Sequence, residues 1–200
     1  MAFKALIEGI AERGYAVVPG AVPPSLVRAL RGRAREVDAL GGFAPARVGR
    51  AEGRMPRTDI RGDRIAWLDA SSPAPAELPL FAWLEQLRTA CNRELMLGLA
   101  EIEAHYAIYP PGAGYSRHRD RFRDDDSRTL SCVLYLNEGW RAEDGGALRL
   151  LLPDAAPFAV HPRGGTFVAF LSADLDHEVL PATRERMALA GWYRRRALPP

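Results

Sequence analysis

Two hydrophobic periods divide the chain near residue 100. Before it, apolar residues return every three or four positions: Phe3, Leu6, Ile7 and Ile10, then Leu26, Val27, Leu30, Ala34 and Val37, then Trp83, Leu84, Leu87, Cys91 and Leu95. Each set falls on one face of a helix, so three amphipathic helices are predicted. Gly14 and Gly41-Gly42 stand where the first two should end, and Pro23-Pro24-Ser25 opens the second. Tyr15 to Val18 and Ile65 to Leu68 read as short strands between them. Beyond Glu101 the character changes to short strands separated by turns, at about 101–109, 115–120, 129–136, 147–152, 158–161, 166–172, 177–180 and 185–194. Turn residues mark the joints at Pro110-Pro111-Gly112, Asp144-Gly145-Gly146 and Arg163-Gly164-Gly165. Eight strands without an intervening helix predict an all-β barrel or sandwich, with the helices packed against the outside of one sheet.

The 200 residues, 48% of them hydrophobic, suit one compact domain with a substantial core: helical support over about 1–100 and the barrel over about 101–195. A net charge of +2 does not by itself imply a nucleic-acid or membrane partner. Of the 27 basic residues only Lys4 is lysine, so no single arginine is informative by its presence alone. From Arg47 to Arg64 the chain is arginine-rich with few apolar residues, the composition of an exposed hairpin or mobile loop, and its Arg61-Gly62-Asp63 reads as a turn. Asp124-Asp125-Asp126 reads as a solvated loop and Arg194-Arg195-Arg196 as a solvated chain end. The two cysteines, Cys91 and Cys132, form no C-x-x-C pair and suit a reducing compartment. No signal-peptide pattern and no run of about 18 apolar residues is present, so a cytoplasmic protein without a membrane anchor is expected.

The chemistry concentrates at His118-x-Asp120. On an extended segment, residues two apart point to the same side, so both can reach one ion. The next histidine with suitable company is His177, in Asp174-Leu-Asp-His-Glu, and residues 121–176 separate it from Asp120. Two imidazoles and one carboxylate with the remaining positions open form the ligand set of non-haem Fe(II) oxygenases. In the last strand Arg186, Ala188, Ala190 and Trp192 share a face. An arginine turned into a barrel is costly without an anion, so a carboxylate partner is implied. Arg184 has the same parity and competes for that role. Parity also puts Thr129, Ser131, Val133 and Tyr135 on one face, which gives Tyr135 a hydroxyl inside the barrel; Tyr135 and Trp192 can equally be core aromatics.

Five ordered blocks, Ile60-RGDRIA-Trp67, Tyr109-PPGAGYSRHR-Asp120, Cys132-VLYLNEG-Trp140, Asp144-GGALR-Leu150 and His177-EVLPATRERMALAGW-Tyr193, resemble the 2-oxoglutarate and Fe(II)-dependent prolyl hydroxylases related to the oxygen-sensing hydroxylases of hypoxia-inducible factor. Within that family the chain is similar to bacterial members. The resemblance covers about residues 57–194. It implies a double-stranded β-helix, or jelly-roll, barrel supported by N-terminal α-helices. It also implies that His118, Asp120 and His177 hold Fe(II), that Arg186 pairs with the far carboxylate of 2-oxoglutarate, and that Tyr135 hydrogen-bonds it. Tyr109 and Trp192 would line the same cosubstrate pocket, and the Arg47 to Arg64 segment would close over a peptide substrate. The implied cosubstrates are 2-oxoglutarate and O2, with ascorbate as a further candidate cofactor. The implied partner is a protein with a target proline, elongation factor Tu among the candidates, and neither nucleic acid nor membrane. Two other functions fit the same ligands: the same chemistry on another side chain or a nucleic-acid base, and a non-enzymatic metal-binding barrel that acts as a sensor.

Overall fold

The computed structural model describes residues 2–47, 57, 59–121, 126–153 and 155–196. Three helices precede the barrel or lie among its first strands: α1 (Ala2–Arg13), α2 (Pro24–Ala39) and α3 (Leu78–Leu95). Each buries its predicted stripe, with Leu6 and Ile10 on α1, Val27, Leu30 and Ala34 on α2, and Leu84, Leu87 and Cys91 on α3. Gly14 ends α1 in the left-handed region at φ 76° and donates its N–H to the Ile10 carbonyl at 2.9 Å.

Among the described residues eleven strands form two antiparallel sheets. The larger contains β1 (Tyr15–Val18), β2 (Ala44–Pro45), β3 (Arg64–Trp67), β4 (Leu99–Tyr109), β6 (Arg128–Tyr135), β9 (Phe167–Leu171) and β11 (Arg186–Arg195), in the order β1-β9-β6-β11-β4-β3-β2. The smaller contains β5 (Tyr115–His118), β7 (Leu148–Leu151), β8 (Phe158–Val160) and β10 (Asp176–Val179), in the order β5-β10-β7-β8. All eight strands predicted beyond residue 100 are present. From β4 onward the chain passes back and forth between the sheets, apart from the β7–β8 hairpin, and this interleaved order is that of a jelly roll.

Alternation along each strand sorts the side chains into two cores. Leu130, Cys132 and Leu134 of β6 join Tyr106 and Ile108 of β4 and Met187, Leu189 and Tyr193 of β11 beneath the helices. Their neighbours Tyr135, Ala107, Tyr109 and Ala188 face the smaller sheet instead. Tyr193 ties the layers together by donating its hydroxyl to the Leu84 carbonyl of α3 at 2.6 Å. The outer face of the smaller sheet is polar, with Arg149 on Glu178 and Arg117 on Asp176.

Three expectations change. Much of the predicted 47–64 loop lies outside the described residues, but its end is not exposed: the Asp63 side chain is fully buried and Arg61 nearly so. The Arg61 to Asp63 stretch is fastened to the segment before β5 by a Gly62 N–H donated to the Gly114 carbonyl at 3.0 Å. Arg194 and Arg195 are not a loose chain end: they finish β11, where Arg194 meets Glu101 at 3.5 Å and Arg195 pairs with Asp126. Of the acidic loop, Asp124 and Asp125 lie outside the described residues, while Asp126 is held by Arg195 and by Arg121 at 3.3 Å.

Candidate active site

Antiparallel pairing of β5 with β10 sets His118 directly opposite His177. Asp120 follows His118 by two residues, turns to the same side, and is 8% exposed. The three ligand atoms lie within 4.8 Å of one another, with His118 Nε2 3.7 Å from one carboxylate oxygen and His177 Nε2 3.6 Å from the other. Each imidazole turns Nδ1 to a backbone carbonyl, His118 to Ser116 at 2.8 Å and His177 to Leu175 at 3.4 Å. Donation there leaves Nε2 with its lone pair facing inward, as a metal ligand requires. Burial, then the neighbouring His177, lowers the pKa of His118 to about 4, so the ring is neutral at neutral pH. Burial works to raise the Asp120 carboxyl, but His177, His118, Ser131 and Trp192 together outweigh it and hold it below the ordinary carboxylate range. Ser131 donates to this carboxylate at 2.7 Å and is itself bonded to Ser172 at 2.8 Å. The neutral His118 imidazole, the facing His177 and an ionised, oriented carboxylate fit a divalent iron with positions left open.

The other end of the cavity is cationic. Arg186 opens β11 opposite Tyr109 of β4 and is 2% exposed. It donates Nε to the Gly146 carbonyl at 2.9 Å, and its guanidinium lies 5.0 Å from the Tyr109 ring and 5.1 Å from the Tyr135 ring. Among the described residues no carboxylate pairs with it. Among the described residues the buried Tyr135 hydroxyl has no partner beyond the adjacent Arg186 guanidinium, and burial raises its pKa, so it remains a donor. A buried cation beside an orphaned hydroxyl calls for an anionic ligand. The far carboxylate of a 2-oxo diacid meets both needs. Gly146 makes room, since a Cβ there would come within 3.3 Å of the Arg186 side chain. Arg184 does not compete: it precedes the strand, so strand parity never applied to it, and it sits on the surface against Asp144 at 3.5 Å and Trp140 at 5.1 Å.

A cavity of about 530 Å³ joins the two ends. Trp192 stands at its metal end, six residues along β11 from Arg186. Its ring lies 3.8 Å beneath the Arg128 guanidinium and 5.5 Å from His105, and its indole bonds to Asp120. Trp192 therefore supports the carboxylate ligand and does not reach the Arg186 end. Sequence reasoning missed Ser131 as a partner of Asp120, and it missed Arg61, which enters the cavity wall from the loop paired with the buried Asp63. The parity argument had already turned Ser131 inward; the Arg61-Asp63 pair left no comparable signal in so arginine-rich a segment.

Fold and site together define an oxygenase that binds a metal and a 2-oxo acid, and residues 104–194 match the model of the 2OG-Fe(II) oxygenase superfamily. The chain belongs to that superfamily, whose members use Fe(II), 2-oxoglutarate and O2. Among solved structures it is similar to a Pseudomonas putida prolyl-4-hydroxylase, at 46% identity over 98% of this chain and 100% of that one, with a TM-score of 0.88. It is also similar to a Trichoplax adhaerens prolyl hydroxylase solved with a hypoxia-inducible-factor peptide fragment, at 26% identity over 96% of this chain and 88% of that one, with a TM-score of 0.86. Human Egl nine homolog 1 is 36% identical over 144 residues, 68% of this chain but 33% of the human protein. The chain thus spans about a third of that relative's length. Among the described residues no helix is long and apolar enough to cross a membrane.

Proposed function

We propose that this chain is a prolyl 4-hydroxylase of protein substrates, coupling hydroxylation to the oxidative decarboxylation of 2-oxoglutarate. The observation that carries this reading is one cavity with a His-Asp-His triad at one end and an unpaired, buried Arg186 beside an orphaned Tyr135 hydroxyl at the other. Similarity along the full chain to the Pseudomonas prolyl-4-hydroxylase supports the choice of proline.

His118, Asp120 and His177 would hold Fe(II), which when bound with 2-oxoglutarate and O2 supplies the oxidising power of the reaction. Arg186 fixes the far carboxylate of the cosubstrate by a two-point, charge-assisted contact, and Tyr135 donates to it. Tyr109, packed on the Arg186 guanidinium, closes that end against water. Two fixed ends leave the 2-oxo acid group one direction to point, toward the triad. The apolar wall of Ala107, Ala188 and Val133 between the ends keeps the reacting region dry. A peptide segment enters from the mouth, where Trp67 is 52% exposed. Two buried, unpaired cysteines support a cytoplasmic setting.

The test is incubation with Fe(II), 2-oxoglutarate and candidate proteins, elongation factor Tu among them, read by mass spectrometry. One added oxygen on a proline, with stoichiometric succinate, is expected. Oxygen on lysine, asparagine or a nucleobase with prolines untouched would overturn the prolyl assignment and leave the oxygenase standing.

A further inference from the structure

A buried ion pair reaches the cavity through Arg61, which lines its wall, while the Asp63 side chain is fully buried. Arg61 meets Asp63 through two parallel contacts, 2.7 and 2.9 Å. Burying such a pair is costly and adds little net stability over apolar packing of the same volume. What the guanidinium faces is Tyr115, whose ring centroid lies 4.8 Å away. Tyr115 in turn lies flat on His118, with centroids 3.5 Å apart and planes within 16°.

That stack depends on an irregularity in β5. Residues three apart on a regular strand point to opposite faces, so Tyr115 and His118 should not meet. The register against β10 shifts between the pairs His177–His118 and Val179–Tyr115. The bulge turns both rings to the same side. The same stretch is fastened from outside, because Arg61 bridges to Tyr115 along the backbone and Ser116 donates its N–H to the Ile60 carbonyl at 2.8 Å.

His118 has the greatest need of such support. Its side chain is 18% exposed, against 6% for His177 and 8% for Asp120. It ends a four-residue strand at the edge of the smaller sheet. Its Nδ1 contact to Ser116 fixes one point of the ring, and a flat partner fixes the plane.

Resting on the reading of His118 as a metal ligand, we propose that Arg61 is a positioning residue of the metal centre. Clamped by Asp63, it holds the Tyr115 ring against the His118 imidazole and so fixes the direction of Nε2.

The test uses Co(II) alone as the probe, with affinity and the visible ligand-field spectrum as readouts and circular dichroism to verify folding. Arg61→Met combined with Asp63→Leu removes both charges at once, so no buried ion is stranded; Arg61→Gln combined with Asp63→Asn, which keeps hydrogen-bonding groups, is the milder second variant. Each should weaken Co(II) binding, by about tenfold for the charge-free pair, and should move the ligand-field bands. Tyr115→Leu should reproduce both effects, and Tyr115→Phe, which keeps the ring, should restore wild-type binding. Combining the charge-free pair with Tyr115→Leu should cost no more than Tyr115→Leu alone. Wild-type affinity and spectrum in both Arg61 variants, or full additivity with Tyr115→Leu, would overturn the proposal. Unchanged Co(II) binding by His118→Ala would instead overturn the ligand assignment on which it rests.

Discussion

His105 is a neutral imidazole sealed into the cavity wall, 1% exposed and wedged between Trp67 and Trp192. Burial, reinforced by Arg61, lowers its pKa from the ordinary 6.5 to about 4. The unfolded chain therefore binds more protons between those values, so this contribution to stability is complete above 6.5 and is lost as pH falls toward 4. The full span is worth about 3 kcal/mol, with about 2 kcal/mol gone by about pH 5. His105→Gln should lose less stability than wild type between about pH 7.5 and about pH 5, measured by urea unfolding of each protein at both values. At the other end of the cavity, Arg186→Ala removes a buried cation from its anion, a change typically worth ~3–5 kcal/mol. It should raise the dissociation constant for 2-oxoglutarate by about 100- to 5000-fold in calorimetric titration, whereas Arg184→Ala should leave it within about twofold. At this scale placement was legible where chemistry and parity coincide: His118 and Asp120 share a side and Arg186 turns into the cavity. It was illegible where a contact depends on a strand irregularity, as in the Tyr115–His118 stack, because alternation predicts the opposite.

Two elements carry the site, and each depends on small features. β5 reaches β10 because Gly114 has no Cβ: one added there would stand 2.6 Å from the Val179 carbonyl oxygen. Gly114→Ala should therefore cost about 1–3 kcal/mol and also weaken metal binding, since pushing the two strands apart separates His118 from His177. Denaturant unfolding and Co(II) titration of the same variant would show whether the two losses travel together. α3 is the contrasting case. Leu87→Ala opens a cavity under the larger sheet, far from the triad, and should cost about 2–5 kcal/mol while metal affinity in the folded protein stays unchanged. Strands and helices were read from periodicity to within a few residues, because half-buried strands and amphipathic helices write their periods into the chain. β2 was missed, since Ala44-Pro45 is too short to have a period. Sheet membership was also out of reach: alternation tells which side chains share a face and not which strands pair, so the division into seven and four strands emerged only in three dimensions.

For the whole molecule, metal and fold are linked. His118, Asp120 and His177 come together only in the folded chain, and metal bound there raises stability by about 2.7 kcal/mol at a free concentration of 100 times its dissociation constant. Stripping the metal with a chelator should lower the melting temperature, and added Co(II) or Fe(II) should restore it in a concentration-dependent way. His177→Ala should show no such response.

All three triad residues sit on or just beyond strands of the smaller sheet, while Arg186, Tyr109 and Tyr135 belong to the larger one. The helices back only the larger sheet, and the outer face of the smaller one meets solvent through ion pairs. The reaction thus works like a caliper with one heavy jaw and one light jaw. Warming should loosen the light jaw first, so that turnover fails at temperatures where the helices and the larger sheet are still intact.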